Sequence, residues 1–152
     1  MKRIRVAGLV EMGEGIALMH RTNVQPSEEG KPFGEYYVFA GGGIEEEDAS
    51  LEEAVKREIL EEFGIVVEVK QQVCYREIKD KLDEYLFYCK YISGELGTGT
   101  GPEFSNDPRY TYRGNYIPTI IKKEDVKNIR LFPDEFKQNV MDIIERKDSF
   151  DK

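Results

Sequence analysis

Residues Gly41 to Ile65 read GGGIEEEDASLEEAVKREILEEFGI, and this stretch decides the fold. From Ala49 to Phe63 it is mostly Leu, Glu, Ala, Lys and Arg, with no Gly or Pro, which predicts a helix. Gly64 supplies a stop, because glycine tolerates the left-handed conformation that ends many helices. Asp48 and Ser50 offer capping oxygens and a favourable charge at the start.

Three acids of this helix fall on or beside its core-facing side when residues are placed at about 100° intervals. Glu58 and Glu62 project into the apolar face, and Glu61 lies at its edge. Such close carboxylates repel one another unless a cation joins them. Arg57 can pair with Glu61 one turn on, but one guanidinium cannot neutralise three acids. The pattern therefore favours a divalent ion, Mg²⁺ or Mn²⁺, since both prefer oxygen ligands.

The alternative for any Glu-rich run is a solvated acidic helix face. Glu52, Glu53 and Lys56 already furnish a polar side, which weakens that alternative. Leu60 points outward and spoils the amphipathic pattern, so the distribution of side chains alone does not decide between the two interpretations.

The residue pattern of this segment resembles the signature of the Nudix hydrolases. That signature is Gly, five residues, Glu, seven residues, Arg-Glu, an aliphatic, any residue, Glu-Glu, any residue, Gly and an aliphatic. Its last nine positions match without exception from Arg57 to Ile65, as REILEEFGI. The glycine-rich entry matches as GGGIE at positions 41–45.

The loop between these two matches departs from the signature. The expected Glu falls on Ala49 when counted back from Arg57, and on Asp48 when counted forward from Gly42. One extra residue reconciles the two counts, with Asp48 or Glu47 standing in for the missing Glu. A second departure is Ala40, where the family often has proline before the glycines.

The resemblance implies an α/β (α+β) fold of the Nudix type, an α/β/α sandwich with a mixed β-sheet between helices. We expect a single Nudix hydrolase domain over residues 1–152. Metal would be held by the carboxylates of Glu58, Glu61 and Glu62, and the resemblance adds the backbone carbonyl of Gly41 to this shell.

The implied reaction is hydrolysis of a phosphoanhydride, which needs neutralised phosphate charge, an oriented water and a base. Arg57 would orient Glu61 or Glu58 by a charge-assisted hydrogen bond. Within the family the base is a carboxylate of the motif helix or of a later loop. Glu58 and Glu103 are the two candidates, and an exposed loop acid is an equal alternative for Glu103.

The sequence gives weaker indications of which residues bind the substrate than of which residues bind the metal. Arg21, at the end of the second predicted strand, is a candidate phosphate ligand, although a lone surface arginine is often simply solvated. Tyr36, Tyr37 and Phe39 are candidates for stacking on a base, although aromatic residues entering a strand more often pack in the core.

The composition and charge of the chain limit the kinds of partner that we expect. The net charge of −8 argues against nonspecific binding to duplex nucleic acid. No apolar run approaches a membrane span and no signal peptide is visible, so we expect no membrane partner and a cytoplasmic location. A reducing compartment would keep Cys74 and Cys89 as thiols. The expected partner is a small nucleotide-diphosphate substrate, and a homodimer is left open.

Periodicity and turn residues predict the rest of the chain. Residues 94–113 form a long loop whose glycines, Gly97, Gly99 and Gly101, do not fit a dinucleotide-binding turn. A surface loop is expected over 21–35. The predicted strands cover 3–10, 16–20, 36–39, 66–78, 84–92 and 116–121, and a closing helix covers 133–146.

Two function classes remain open from the sequence. The first is a metal-dependent pyrophosphohydrolase of a nucleoside diphosphate linked to another group, as in a nucleoside triphosphate, a nucleotide sugar or ADP-ribose. The second is a catalytically degenerate Nudix domain that binds nucleotides or regulates. The intact acids of the helix favour the first, and the altered loop favours the second. An isomerase on the same fold is a distant third.

Overall fold

The computed structural model describes residues 2–27, 31–99, 114–146 and 150. A 3₁₀ helix spans Lys123–Asn128. The other elements, in chain order, are β1 (Arg3–Met12), β2 (Gly15–Val24), β3 (Gly34–Val38), β4 (Ala40–Gly43), α1 (Leu51–Phe63), β5 (Ile65–Ile78), β6 (Leu82–Gly94), β7 (Asn115–Lys122), β8 (Leu131–Phe132) and α2 (Asp134–Glu145).

The described strands form one mixed sheet in the order β5-β6-β1-β2-β3-β8, with β4 also paired to β1 and β7 to β2. Pairs β1–β6 and β3–β8 are parallel, and the others are antiparallel. One edge of β1 is shared, because residues 5–8 pair with β4 and residues 10–12 pair with β2. The sheet therefore divides beside β4, where the glycines lie.

Each face of the sheet carries its own apolar core and helix. The first core joins Val55, Ile59 and Phe63 of α1 to one set of alternating strand residues, and the second joins Phe136 and Val140 of α2 to the other set. Alternate residues of a strand point to opposite faces, so every central strand supplies both cores. The predicted mixed sheet between helices is confirmed.

Strand β6 is covered on both sides, as the apolar character of both its faces predicts. Phe87 and Cys89 lie in the core against α1, whereas Leu86 and Tyr88 lie in the core against α2. Cys74 packs beside the second core, and both cysteines are free thiols.

The prediction of a surface loop over 21–35 is wrong at both ends. Strand β2 continues to Val24 and β3 begins at Gly34. The extension arises because residues 15–22 pair with β7, which lies about a hundred positions further along the chain. A local pattern of Pro and Gly does not reveal such a partner.

Strand β4 was not predicted from the sequence. Its residues are Ala40-Gly41-Gly42-Gly43, and glycine is depleted in strands. Here β1 imposes the extended form through a register that pairs Val6 with Gly42. The 3₁₀ helix and the two-residue β8 were also missed, since both are short. Among the described residues, no helix is both long and apolar enough to cross a bilayer.

Candidate active site

Helix α1 is fixed at both ends by its own sequence. Ser50 is the N-cap, and its Oγ accepts a hydrogen bond from the backbone N–H of Glu53 at 3.1 Å. Gly64 ends the helix at φ 76°, and its N–H donates to the carbonyl of Leu60. The predicted end of the helix at Phe63 is confirmed, whereas its start is at Leu51, two residues after the predicted Ala49. The predicted roles of Ser50 and Gly64 at the two ends are confirmed.

The acids of α1 lie where helical spacing places them. Glu62 is only 7% exposed, and its Oε2 accepts the backbone N–H of Gly41 at 2.7 Å. The carboxylate of Glu58 lies against Gly42, where an added Cβ would approach Glu58 Oε1 to 2.6 Å. The Glu61 side chain is 39% exposed, in keeping with its place at the edge of this face. Leu60, 51% exposed, points outward as expected.

Among the described strands β4 pairs only with β1, and its other edge faces these acids. Because the Gly41 N–H donates to Glu62, it does not donate to β1. In an antiparallel ladder the N–H and C=O of one residue emerge on the same side, so the Gly41 carbonyl is directed to the same edge. Two residues on, the Gly43 carbonyl accepts from Arg57 at 3.3 Å. Backbone oxygens and carboxylates therefore line one gap between β4 and α1.

Arg57 joins the loop to the helix acids. Its Nε and Nη2 each donate to a different oxygen of Asp48, at 2.9 Å. Its Nη1 contacts Glu58 Oε1 at 3.0 Å and Glu61 Oε2 at 3.4 Å. Of the two stand-ins proposed for the missing Glu of the signature, Asp48 is the one that pairs with Arg57. The two-point geometry of this pair is the strongest form of an arginine–carboxylate contact.

The Asp48–Arg57 pair shifts the proton affinity of both groups. The hydrogen bonds from Arg57 hold the pKa of the Asp48 carboxyl below its ordinary value, against the opposing effect of burial. The hydrogen bond to Asp48 raises the pKa of the Arg57 guanidinium, with Glu58 adding to the effect. Both groups are therefore charged across the neutral range.

The donor set suits a divalent ion in kind. Glu58 and Glu61 contact the same nitrogen of Arg57, so their oxygens lie close together. Within the described part of the chain, however, no three His, Cys, Asp or Glu side chains converge as a metal-binding group, and Glu62 is turned to Gly41. Carboxylate and carbonyl oxygens are the ligands that Mg²⁺ and Mn²⁺ prefer. The residues fit such an ion by donor chemistry and by proximity to β4.

Arg21 lies in a row of side chains across three strands. It is paired with Tyr36 of β3 and with Tyr116 of β7. Its guanidinium carbon lies 3.7 Å from the centre of the Tyr116 ring and 5.6 Å from that of Tyr36. Met19, two residues earlier on β2, belongs to the core under α1, so the row faces the same side of the sheet as the acids.

The structure does not bring Tyr37 and Phe39 to that side. Phe39 is 6% exposed and packs edge-on against Phe136 of α2 at 6.1 Å. Tyr37 stacks on His20 with ring centres 4.3 Å apart and packs beside the same core. Both residues therefore lie on the α2 face of the sheet, where packing accounts for them. Glu103 lies outside the described residues.

The sequence did not predict the positions of two residues near the site, Tyr116 and Gly42. Tyr116 reaches Arg21 only through the β2–β7 register, which no local pattern encodes. Gly42 lies under the Glu58 carboxylate because β4 pairs with β1. The run of three glycines was a signal of close backbone approach, but it did not say which side chain approaches.

Comparison with known proteins agrees with this geometry. A NUDIX domain family model matches residues 1–110, which include the whole glycine strand and α1. A search of curated protein sequences gave no significant match. The chain therefore belongs to the Nudix family, and it is a hydrolase of the Nudix type. Nudix hydrolases generally use a divalent metal ion.

Solved structures share the fold at low sequence identity. A NUDIX hydrolase from Nitrosomonas europaea has a TM-score of 0.67 at 14% identity, over 97% of this chain and 92% of that one. A structure from a study of MutT from Aliivibrio salmonicida and Vibrio cholerae has a TM-score of 0.65 at 22% identity, over 96% of this chain and 99% of that one. An ADP-ribose pyrophosphatase from Streptococcus suis has a TM-score of 0.64 at 14% identity, over 98% of this chain and 94% of that one.

Proposed function

We propose that this chain is a metal-dependent pyrophosphohydrolase that cleaves a nucleoside diphosphate linked to another group. The observation that carries the proposal is the gap between β4 and α1, where Glu58 and Glu61 meet on Arg57 and Glu62 is bound to the backbone of Gly41. An acidic cluster on a packed helix face is costly unless it serves a cation. The matched family and the donor chemistry both support this use.

In this proposal Glu58, Glu61 and Glu62, with the carbonyl of Gly41, hold Mg²⁺ or Mn²⁺. The bound ion would neutralise phosphate charge and lower the pKa of a coordinated water. The two-point contact with Asp48 fixes Arg57, which in turn holds the carboxylates of Glu58 and Glu61. The protein thus supplies orientation, which accounts for much of catalysis in phosphoryl transfer.

The substrate class follows from the side chains that share the α1 side of the sheet with the acids. Arg21 and the half-buried ring of Tyr116 present a cation and an aromatic surface on the α1 side of the sheet, whereas Tyr36 is buried against Phe132. A phosphate matches the guanidinium, and a base can stack on an aromatic ring. A small nucleotide also suits a protein of net charge −8, which is unsuited to holding a duplex. Tyr37 and Phe39 are left out of the proposed substrate site, because both pack on the α2 face of the sheet.

The experiment is a phosphate-release screen over nucleoside triphosphates, nucleotide sugars, ADP-ribose and dinucleoside polyphosphates, each with Mg²⁺, with Mn²⁺ and with neither. One of the similar structures is named an ADP-ribose pyrophosphatase, which makes ADP-ribose the leading candidate. We expect turnover of at least one class, abolished by chelation. Turnover of none would overturn the proposal and favour a nucleotide-binding module.

Arg21→Ala tests the substrate side of the proposal. We expect KM for the preferred nucleotide to rise roughly ten- to a hundredfold, because a charge-assisted contact with phosphate contributes about 1.5–3 kcal/mol. Arg130→Ala is the matched control, since the guanidinium of Arg130 contacts the Phe132 ring and the carbonyls of Phe33 and Glu35 instead. An unchanged KM for Arg21→Ala would remove Arg21 from the binding site.

The base is Glu58 or Glu103, and pH–rate profiles of Glu58→Gln and Glu103→Gln distinguish them. The variant that removes the limb due to the base identifies the residue, provided that the other variant retains that limb. If both variants kept the wild-type profile, neither carboxylate would be the base.

A further inference from the structure

A short segment after β6, residues 95–99, is docked on the end of α1. The backbone N–H of Gly97 donates to the carbonyl of Phe63 at 3.0 Å. The hydroxyl of Thr98 contacts the carbonyl of Gly64 at 3.3 Å and that of Glu95 at 2.7 Å. The last carbonyls of a helix have no partner within the helix, so this segment satisfies groups that would otherwise need water. We call residues 95–99 the clamp segment.

Gly99 brings the clamp segment against the acids' own backbone. A Cβ added to Gly99 would lie 2.6 Å from the carbonyl oxygen of Glu62, and closer still to that of Glu61. Carbon and oxygen normally approach to about 3.3 Å, so a methyl group there requires a shift of nearly 1 Å. The φ of Gly99 is not in the left-handed region, so close approach, not backbone conformation, calls for glycine here.

Glu62 is consequently held at two points. Its carboxylate is bound to the N–H of Gly41 on β4, and its backbone is in contact with Gly99 on the other side. Gly64 lies equally close to the clamp segment, since a Cβ at Gly64 would overlap the hydroxyl of Thr98. The last turn of α1 is thus fixed between β4 and the clamp segment, with no room for a side chain on either glycine.

We infer that Gly99 is a positioning residue for Glu61 and Glu62, setting the distance between the last turn of α1 and the glycine strand. The inference rests on the proposed function for its catalytic consequence, but not for its geometry. If the clamp segment were only a stabilising cap, disturbing it would lower the free energy of unfolding without moving the acids relative to β4. A positioning role also changes the contact between Glu62 and Gly41.

The amide proton of Gly41 reports that contact directly, without metal or substrate. We expect Gly99→Ala to change its chemical shift in a ¹H–¹⁵N spectrum, because the 2.7 Å hydrogen bond to Glu62 is altered. Gly13→Ala is the control. Gly13 has φ 61°, and no atom of the described residues lies within 4 Å of an added Cβ, so this variant strains a turn without touching α1. It should lose stability and keep the Gly41 shift.

Kinetics give the second measurement. A displacement near 1 Å at a catalytic group lowers kcat by roughly ten- to a hundredfold. We therefore expect Gly99→Ala to lower kcat in that range and to weaken Mn²⁺ binding measured by titration without substrate, while KM changes less than about twofold. Gly13→Ala should leave all three unchanged.

The outcomes separate the inference from the proposed function. The inference is overturned if folded Gly99→Ala keeps the wild-type chemical shift of the Gly41 amide. It is also overturned if that shift changes while kcat does not. If the wild-type chain hydrolysed no nucleotide, the proposed function would fall, while the amide shift would still decide whether Gly99 sets the position of Glu62. Should Gly99→Ala fail to fold, Thr98→Val removes the hydroxyl of the clamp segment, and the same two criteria apply to it.

Discussion

Arg57 is the residue at which the loop, the helix and the proposed chemistry meet. Two of its nitrogens are occupied by Asp48, and the third contacts Glu58 and Glu61. A guanidinium held on one side by a two-point contact presents its remaining donor in a fixed direction. Although the loop has one residue more than the signature, Arg57 still has a carboxylate partner, Asp48.

Asp48→Asn tests this role through stability. Arg57 depresses the pKa of folded Asp48, so the carboxylate contributes stability that is fully present above its unfolded pKa of about 3.9 and is lost as pH falls through the folded pKa. We expect the variant to be less stable than wild type at pH 7. The difference should shrink as the pH falls below about 4. Urea unfolding between pH 7 and pH 3 measures both.

The matched control for that variant is Glu47→Gln. Glu47 is exposed and was the other stand-in for the missing Glu. Its replacement should leave the unfolding curve unchanged at every pH. Loss of stability in Glu47→Gln and none in Asp48→Asn would reverse the assignment.

Glu62→Gln tests the metal assignment at the same scale. The amide oxygen of Gln can still accept the Gly41 N–H, so the fold should be retained. A metal–carboxylate contact is worth several kcal/mol in the transition state, so kcat should fall by at least about 100-fold. Glu52→Gln, the same change on the exposed side of α1, should retain full activity. Full activity of Glu62→Gln with Mg²⁺ would remove Glu62 from the shell.

At the scale of elements, α1 is positioned by its ends as much as by its apolar face. The Ser50 cap begins the helix, Gly64 ends it, and the clamp segment continues from that end. The acids occupy its last two turns, so a change in either cap alters the helix that carries them. Capping and catalysis are therefore linked in this element.

Ser50→Ala should lower the free energy of unfolding by about 1 kcal/mol, because the Glu53 N–H loses its side-chain acceptor. Ser50→Asp retains an acceptor and adds a negative charge at the helix N-terminus, so its stability should match wild type. Denaturant titration gives both values. Equal stability of Ser50→Ala and wild type would show that the cap contributes nothing.

At the scale of the whole molecule, the C-terminal part of the chain closes the core beneath α2. The ring of Phe150 is 3% exposed, with its centre 6.1 Å from that of Tyr88 and 4.9 Å from the Lys123 nitrogen. Its carbonyl accepts from Gln71 at 3.2 Å. One residue near the end of the chain thus joins β5, β6 and the 3₁₀ helix.

Phe150→Ala should therefore cost about 3 kcal/mol of stability, as is usual for a buried phenylalanine. Phe33→Ala is the control, because Phe33 is 53% exposed and its loss should change stability by less than about 0.5 kcal/mol. Thermal and urea unfolding measure the two variants side by side. Equal effects would mean that Phe150 does not complete the core.

The sequence alone predicted the features that depend on near neighbours. Helix α1, its two caps and the inward direction of Glu58 and Glu62 follow from spacing along one element, because helical geometry fixes those relations within a few residues. The coverage of both faces of β6 follows in the same way, because residues on both of its faces are apolar. The family signature added the use of these acids.

Only the tertiary structure decided what depends on pairing between distant segments. The glycines became strand β4 because β1 lies beside them, and Tyr116 reached Arg21 through the β2–β7 register. The β2–β3 register placed Tyr37 on the α2 face, where Phe39 also packs, away from the acids. A strand's side chains alternate between faces, so the partner and the register set which residues meet, and neither is written in the local sequence.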